Sequence, residues 1–176
     1  MGRWVTRDEY GDLFAFEQTA FRLEVQPYYN VPYERESVES FLAGQPVPPS
    51  EVPELAQWFS YVQEQTEAGR IIERVRVQPD PPTDYQRWER WVGHWNAGVG
   101  ERIGYITPER ASMAGIPIDR DWWLFDSSRV LMMEFDDDLL LSGGYLLTKP
   151  DEVAKFCAWR DLAVHNSAPD SGAATT

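Results

Sequence analysis

Residues 120–148 read RDWWLFDSSRVLMMEFDDDLLLSGGYLLT. Three apolar runs lie inside this stretch, at 122–125, 130–135 and 139–148, and Asp126-Ser127-Ser128 and Asp136-Asp137-Asp138 separate them. Short apolar runs between Asp/Ser/Gly punctuation are expected to form consecutive antiparallel strands, a meander. The paired glycines Gly143-Gly144 within the last run point to a bulge or to close approach by another backbone. The rest of the chain is then read as strands added to this meander or helices packed on it.

Upstream, residues 8–18 carry Leu13, Phe14 and Phe16 and read as a short helix. Residues 20–26 alternate: Phe21, Leu23 and Val25 face one way, Arg22 and Glu24 the other, as in a half-buried strand. Val38, Phe41 and Leu42 give 34–43 a helical pattern that Gly44 ends. After a proline-rich break at 45–49, Ser50 is expected to cap a helix running to Ala68, with Leu55, Trp58, Phe59 and Val62 inward. Residues 70–77 form a strand in which Ile72, Arg74 and Arg76 share a face.

A second break, Pro79-Asp80-Pro81-Pro82, precedes Thr83 and Gln86, which have capping-box spacing. The helix they open carries Trp88, Trp91, Val92, Trp95 and Val99 on one side. A strand is expected at 101–106 and a short helix from Thr107-Pro108 to Gly115. Past the meander, Pro150 opens a helix over 151–164 with Val153, Phe156, Cys157 and Val164 inward. The expectation is one α+β domain over 1–166: a mainly antiparallel sheet ending in a three-strand meander, with helices packed on it. Residues 167–176 are small and polar, as in a disordered tail.

Composition bounds the function. The 176 residues are 43% hydrophobic and 14% aromatic, a globular composition. The net charge of −13, from 29 acidic against 16 basic side chains, argues against direct nucleic-acid binding and against docking on anionic lipid. It permits a basic protein partner, including the positively charged groove of a DNA-binding protein. One cysteine, Cys157, and two distant histidines, His94 and His165, give no disulfide and no zinc set, so neither metal nor cofactor is expected. No run approaches a membrane span and the N-terminus lacks the apolar core of a signal peptide, so a cytoplasmic protein is expected. Glycine-rich phosphate loops, the G-x-S-x-G elbow and H-E-x-x-H are all missing from the sequence.

The first place where chemistry can sit is the Arg74/Arg76 face and the strand-to-helix turn after it. Two arginines at i and i+2 on a strand project together and can clamp a carboxylate or phosphate. Asp84 or Glu101 is the candidate acid/base, Tyr85 the candidate donor, and Trp88 a pocket wall. The plainer reading is stronger: the arginines pair within this acidic chain, and Asp84 supports the helix start. Trp88, Trp91 and Trp95 likewise read first as core. Asp136-Asp137-Asp138 lacks the alternate spacing and glycine of a calcium loop and reads as a solvated turn.

The order Phe21-Arg22-Leu23-Glu24-Val25, Phe41-Leu42-Ala43-Gly44, Thr83-Asp84-Tyr85, Gly100-Glu101, Trp123-Leu124-Phe125-Asp126 and Trp159-Arg160-Asp161-Leu162 resembles an actinobacterial family of unknown function. That family has an A-F-R-L-E opening, a T-D-Y centre, a G-E-D-I segment, an F-W-L-F-D strand and an A-W-R-D ending. The chain departs from it at Arg102, where Asp is usual, and at Leu139-Leu140-Leu141. The resemblance implies genes that neighbour helix-turn-helix regulators, and assigns no catalytic residue. The leading expectation is a regulatory or protein-interaction module whose partner is such a regulator, with Arg74, Arg76, Asp84, Tyr85, Trp88 and Glu101 available to a small ligand. The alternative is a small-molecule enzyme of actinobacterial secondary metabolism using an Asp/Glu acid-base in an aromatic-walled pocket.

Overall fold

The computed structural model of the chain describes residues 2–170. Among these, strands β1 (Arg3–Thr6), β2 (Thr19–Glu24), β3 (Ile71–Val77), β4 (Arg102–Ile106), β5 (Trp122–Phe125), β6 (Arg129–Phe135) and β7 (Leu141–Leu147) form one sheet in the order β1-β7-β6-β5-β2-β3-β4. The helices are α1 (Tyr10–Leu13), α2 (Arg35–Leu42), α3 (Pro53–Glu67), α4 (Asp84–Gly98), α5 (Pro108–Met113) and α6 (Pro150–Asn166).

The meander forms as its punctuation implies: β5, β6 and β7 pair antiparallel in sequence order. The register shifts between Glu134 and Phe135, opposite the start of β7. Beyond β7 lies β1, and the two glycines meet the backbones on either side of β7, Gly143 that of β1 and Gly144 that of β6. A Cβ on Gly143 would come within 2.7 Å of the Val5 carbonyl oxygen, and one on Gly144 would collide with the Met132 carbonyl. The bulge and the close backbone approach therefore occur together.

Four of the six strand pairings are antiparallel, as in the expected mainly antiparallel sheet, but two are not, so the sheet is mixed. β2 and β3 are parallel, and so are β3 and β4. Long helical connections join them, α2 and α3 in the first case and α4 in the second. A chain that crosses over through helices returns to the sheet in the same direction.

Other boundaries shift for local reasons. The four-residue β1 was not expected, and the expected helix over 8–18 reduces to a 3-10 turn (Arg7–Glu9) and α1. Ser50 does not cap α3; it lies in a 3-10 turn, Pro49–Glu51. Val52 is extended because Pro53 follows it, and Pro53 takes the first helical position. On α6 the inward residues are Val153, Phe156 and Ala163, while Cys157 is half-buried and Val164 exposed. Of the expected tail, Ala168 pairs with Tyr105 at the β4 edge, and 171–176 lies outside the described residues.

Helices cover both sides of the sheet. α5 and α6 pack Ala111, Ile116, Val153, Phe156 and Ala163 against Phe21, Leu23, Val75, Val77, Trp122 and Leu124 in an apolar core. On the other side α2, α3 and α4 form an aromatic layer of their own around Tyr29, Phe59, Tyr85 and Trp88. A second apolar cluster, with Phe16, Ala20, Ile72, Trp123 and Phe125, fills one end of that side. Between it and the helices lies a band of charge.

Candidate functional site

The parallel register of β2 and β3 builds this band. It sets Arg22 beside Arg74 and Glu24 beside Arg76, all on the side covered by α2, α3 and α4. Charges at adjacent strand positions on one face are direct neighbours. Arg76 Nε donates to Glu24 Oε2 at 2.6 Å, Arg74 Nη1 to Glu24 Oε1 at 3.0 Å, and Arg22 Nη1 lies 3.2 Å from the same oxygen. Burial by itself raises the Glu24 pKa; the three guanidiniums outweigh it and hold the carboxyl below the usual range.

Each arginine also reaches a second acid. Arg74 Nε donates to Glu101 Oε1, and Glu101 further accepts from Trp58 Nε1 at 3.2 Å and from Asn96 Nδ2. Arg76 Nη1 donates to the Glu89 backbone carbonyl at 2.9 Å, with the Glu89 carboxylate 3.9 Å from Nη2. Arg22 Nη2 lies 3.4 Å from Asp121, and its guanidinium stands over the rings of Tyr29 and Trp123. Asp121 is fully buried and accepts from the Tyr29 hydroxyl and the Val25 amide. Arg22 Nε has no hydrogen-bond partner among the described residues.

The band carries more carboxyls than guanidiniums, and the surplus shows in their acidity. Burial pushes Asp121 up to about 6 despite Arg22 and the Tyr29 hydrogen bond. It pushes Glu34 up to about 7, although the Tyr85 hydroxyl donates to it at 2.7 Å. Burial also carries Glu89 above the usual carboxylate range, with Arg76 opposing.

The structure brings Arg74, Arg76 and Glu101 together: Glu24 joins the two arginines, and Arg74 joins them to Glu101. Trp88 is in the aromatic layer just above, its Nε1 donating to Ser37 Oγ at 3.0 Å. Tyr85 is in the same layer and its hydroxyl is turned to Glu34. Asp84 is elsewhere: its side chain is 73% exposed and pairs with Arg87, one helical turn along. The capping box of Thr83 and Gln86 is formed. Trp91 and Trp95 are half-buried and pack edge-to-face on each other, and His94 is exposed. Asp136 Oδ1 accepts the Asp138 and Leu140 amides, which makes 136–138 a turn.

Glu24, Glu89, Asp121, Arg22, Tyr29 and Glu34 were not among the expected site residues. Arg22 and Glu24 read as the solvent side of a half-buried strand. The signal that finds them is the pairing of two i, i+2 charged faces, 22/24 and 74/76, across a helical crossover. Parallel pairing under that crossover buries both. Two surface depressions, of about 320 Å³ beside Gly2 and Lys149 and about 420 Å³ beside Ser127 and Cys157, share no residue with the band. Among the described residues no group of His, Cys, Asp or Glu is arranged to hold a metal ion, and no helix is long and apolar enough to cross a membrane.

Over residues 8–171 the chain matches the family described as a domain of unknown function (DUF6879), and it belongs to that family. No curated protein matches it.

Proposed function

We propose that this member of the family is a non-enzymatic interaction module that acts in the cytoplasm of an actinobacterium by binding a helix-turn-helix regulator. One observation carries the reading: the groups best suited to chemistry are already bonded to one another beneath a layer of helices. Arg74, Arg76 and Glu101 are each at most 7% exposed, and their hydrogen-bonding atoms meet Glu24, Glu89, Trp58 and Asn96. A carboxylate or phosphate ligand would have to displace Glu24 from three arginines. The band is better understood as scaffold, and the acidic exterior as the part that meets a partner. Basic regulators carry the complementary charge, and such complementarity speeds encounter and selects partners.

The test is co-expression with the helix-turn-helix protein encoded beside its gene, followed by light scattering at moderate ionic strength. A single species with the summed mass supports the reading. Two separately eluting proteins would remove it. The enzyme alternative, with Asp84 or Glu101 as acid/base and Tyr85 as donor, is less well supported: Asp84 is exposed beside Arg87, Tyr85 is turned to Glu34, and Glu101 is buried with its oxygens bonded to Arg74, Trp58 and Asn96.

A further inference from the structure

The interaction reading leaves open which surface is used. Resting on that reading, we infer that the outward face of α2, with the loops on either side of it, docks a basic amphipathic helix of the partner protein.

Two independent features coincide here. The first is apolar exposure. Tyr33 just before α2, Leu42 at its end and Val47 just after it are 42%, 43% and 38% exposed. Val38 and Phe41 are turned inward to the aromatic layer, where Phe41 packs 5.3 Å from the Trp91 ring, while Leu42 follows Glu36 and Glu39 at three-residue spacing along the flank of the helix that stays exposed. The second feature is charge. Residues 34–67 carry six exposed glutamates against one arginine, Arg35. On the opposite side of the sheet, residues 149–170 carry four carboxylates against Lys149, Lys155 and Arg160, which is close to balance. The acidity of the chain is therefore concentrated on the α2–α3 layer.

The combination selects the occupant. A second copy would set two strongly acidic faces against each other. Nucleic acid and anionic lipid would be repelled. A small cation would make no use of Tyr33, Leu42 and Val47. A helix with apolar residues on one side and Lys/Arg flanking them satisfies both features. Glu36 and Glu39 lie one turn apart on α2, and α2 is about 12 Å long, matching two turns of a partner helix. The face is also held in place before binding, since Ser37 is anchored by Trp88 and Glu34 by Tyr85.

The experiment uses the full chain and a synthetic Leu/Lys amphipathic helix of about 18 residues, read by anisotropy and by backbone NMR shifts. Shifts are expected to cluster within 33–54, with affinity falling several-fold as salt rises from about 50 to about 500 mM. Glu36→Lys/Glu39→Lys should weaken binding about tenfold, and so should Leu42→Asp. Asp151→Lys/Asp161→Lys changes net charge equally on α6, on the opposite side of the sheet, and should alter affinity less than about twofold. A peptide with Ser in place of Leu should bind about tenfold more weakly. Absence of binding, shifts elsewhere, or equal effects of the two charge reversals would overturn the assignment. The two proposals fail separately: a docked peptide with an indifferent regulator removes that partner and leaves the surface, whereas a regulator complex untouched by Glu36→Lys/Glu39→Lys removes the surface.

Discussion

Glu24 on β2 and Arg76 on β3 are register partners in the parallel pair, and Arg76 Nε donates to Glu24 Oε2 at 2.6 Å beneath α4. Arg22 and Arg74 meet the same carboxylate, so one buried acid holds three guanidiniums in place. Removing one member of a buried ionic set leaves the others desolvated and unpaired. Glu24→Gln keeps the shape and removes the charge. It should destabilise the fold by about 3–5 kcal/mol, measured by urea unfolding. A loss below about 1 kcal/mol would mean that water reaches the arginines and that the band is not a closed scaffold.

Asp84 and Glu101 should respond very unequally to the same chemical change. Asp84 is exposed and has one weak neighbour, Arg87, at 3.3 Å. Asp84→Asn should shift stability by less than about 0.5 kcal/mol. Glu101 is buried and accepts from Arg74, Trp58 and Asn96. Glu101→Gln places an amide against those donors and should cost about 2–4 kcal/mol. Comparable losses for the two variants in thermal unfolding would contradict the geometry.

These contrasts show what was legible in the sequence. The β5–β6–β7 meander, the Thr83 capping box and the ion-paired reading of Arg74 and Arg76 follow from local signals: punctuation, spacing and the charge balance. The parallel pairing of β2 with β3 is set by a long crossover, and the period-two pattern of a strand is the same whether its neighbour runs parallel or antiparallel. Glu24 could be recognised only once that pairing was known, because a charge on a strand face is solvated unless helices close over it. Asp84 was drawn into the site by sequence proximity to Arg76; the helix start turns it outward. β1 was too short, with only Val5 buried, to leave a periodic signal.

The carboxyls give stability a defined pH dependence. Burial pushes Asp121 up to about 6 and Glu34 up to about 7 in the folded chain, and raises Glu89 as well. Between the ordinary carboxylate value and these raised values the folded chain binds more protons than the unfolded one. Stability therefore falls as pH rises through that window. Glu24 acts in the other direction. Its lowered pKa gives a contribution that is present above the ordinary carboxylate value and lost as pH falls through the folded one. Urea midpoints should peak near about pH 5 and decline toward about pH 8. Glu89→Gln, a mimic of the protonated acid, should flatten the decline. A midpoint that climbs between those limits would show that the surplus carboxyls are solvated.

The final prediction concerns the edge of the sheet. Tyr105 N donates to the Ala168 carbonyl at 2.7 Å and Ala168 N to the Tyr105 carbonyl at 3.0 Å, so the segment after α6 covers β4. Gly104 makes this possible: a Cβ there would fall 2.9 Å from Ser167 Cβ and closer still to its Oγ. Arg90 secures the same corner, with its guanidinium 4.8 Å from the Tyr105 ring centre and its Nη1 3.9 Å from Asp170. Alanine is otherwise a better strand residue than glycine, so the contact with Ser167 decides the sign. Gly104→Ala should lift the segment, abolish hydrogen-exchange protection at the Tyr105 and Ala168 amides, and cost about 1–2 kcal/mol. In a Ser167→Gly background the same change should be neutral or slightly stabilising, because no side chain remains to collide with the new methyl. Equal losses in both backgrounds would locate the strain within β4 itself and dissociate it from the covering segment.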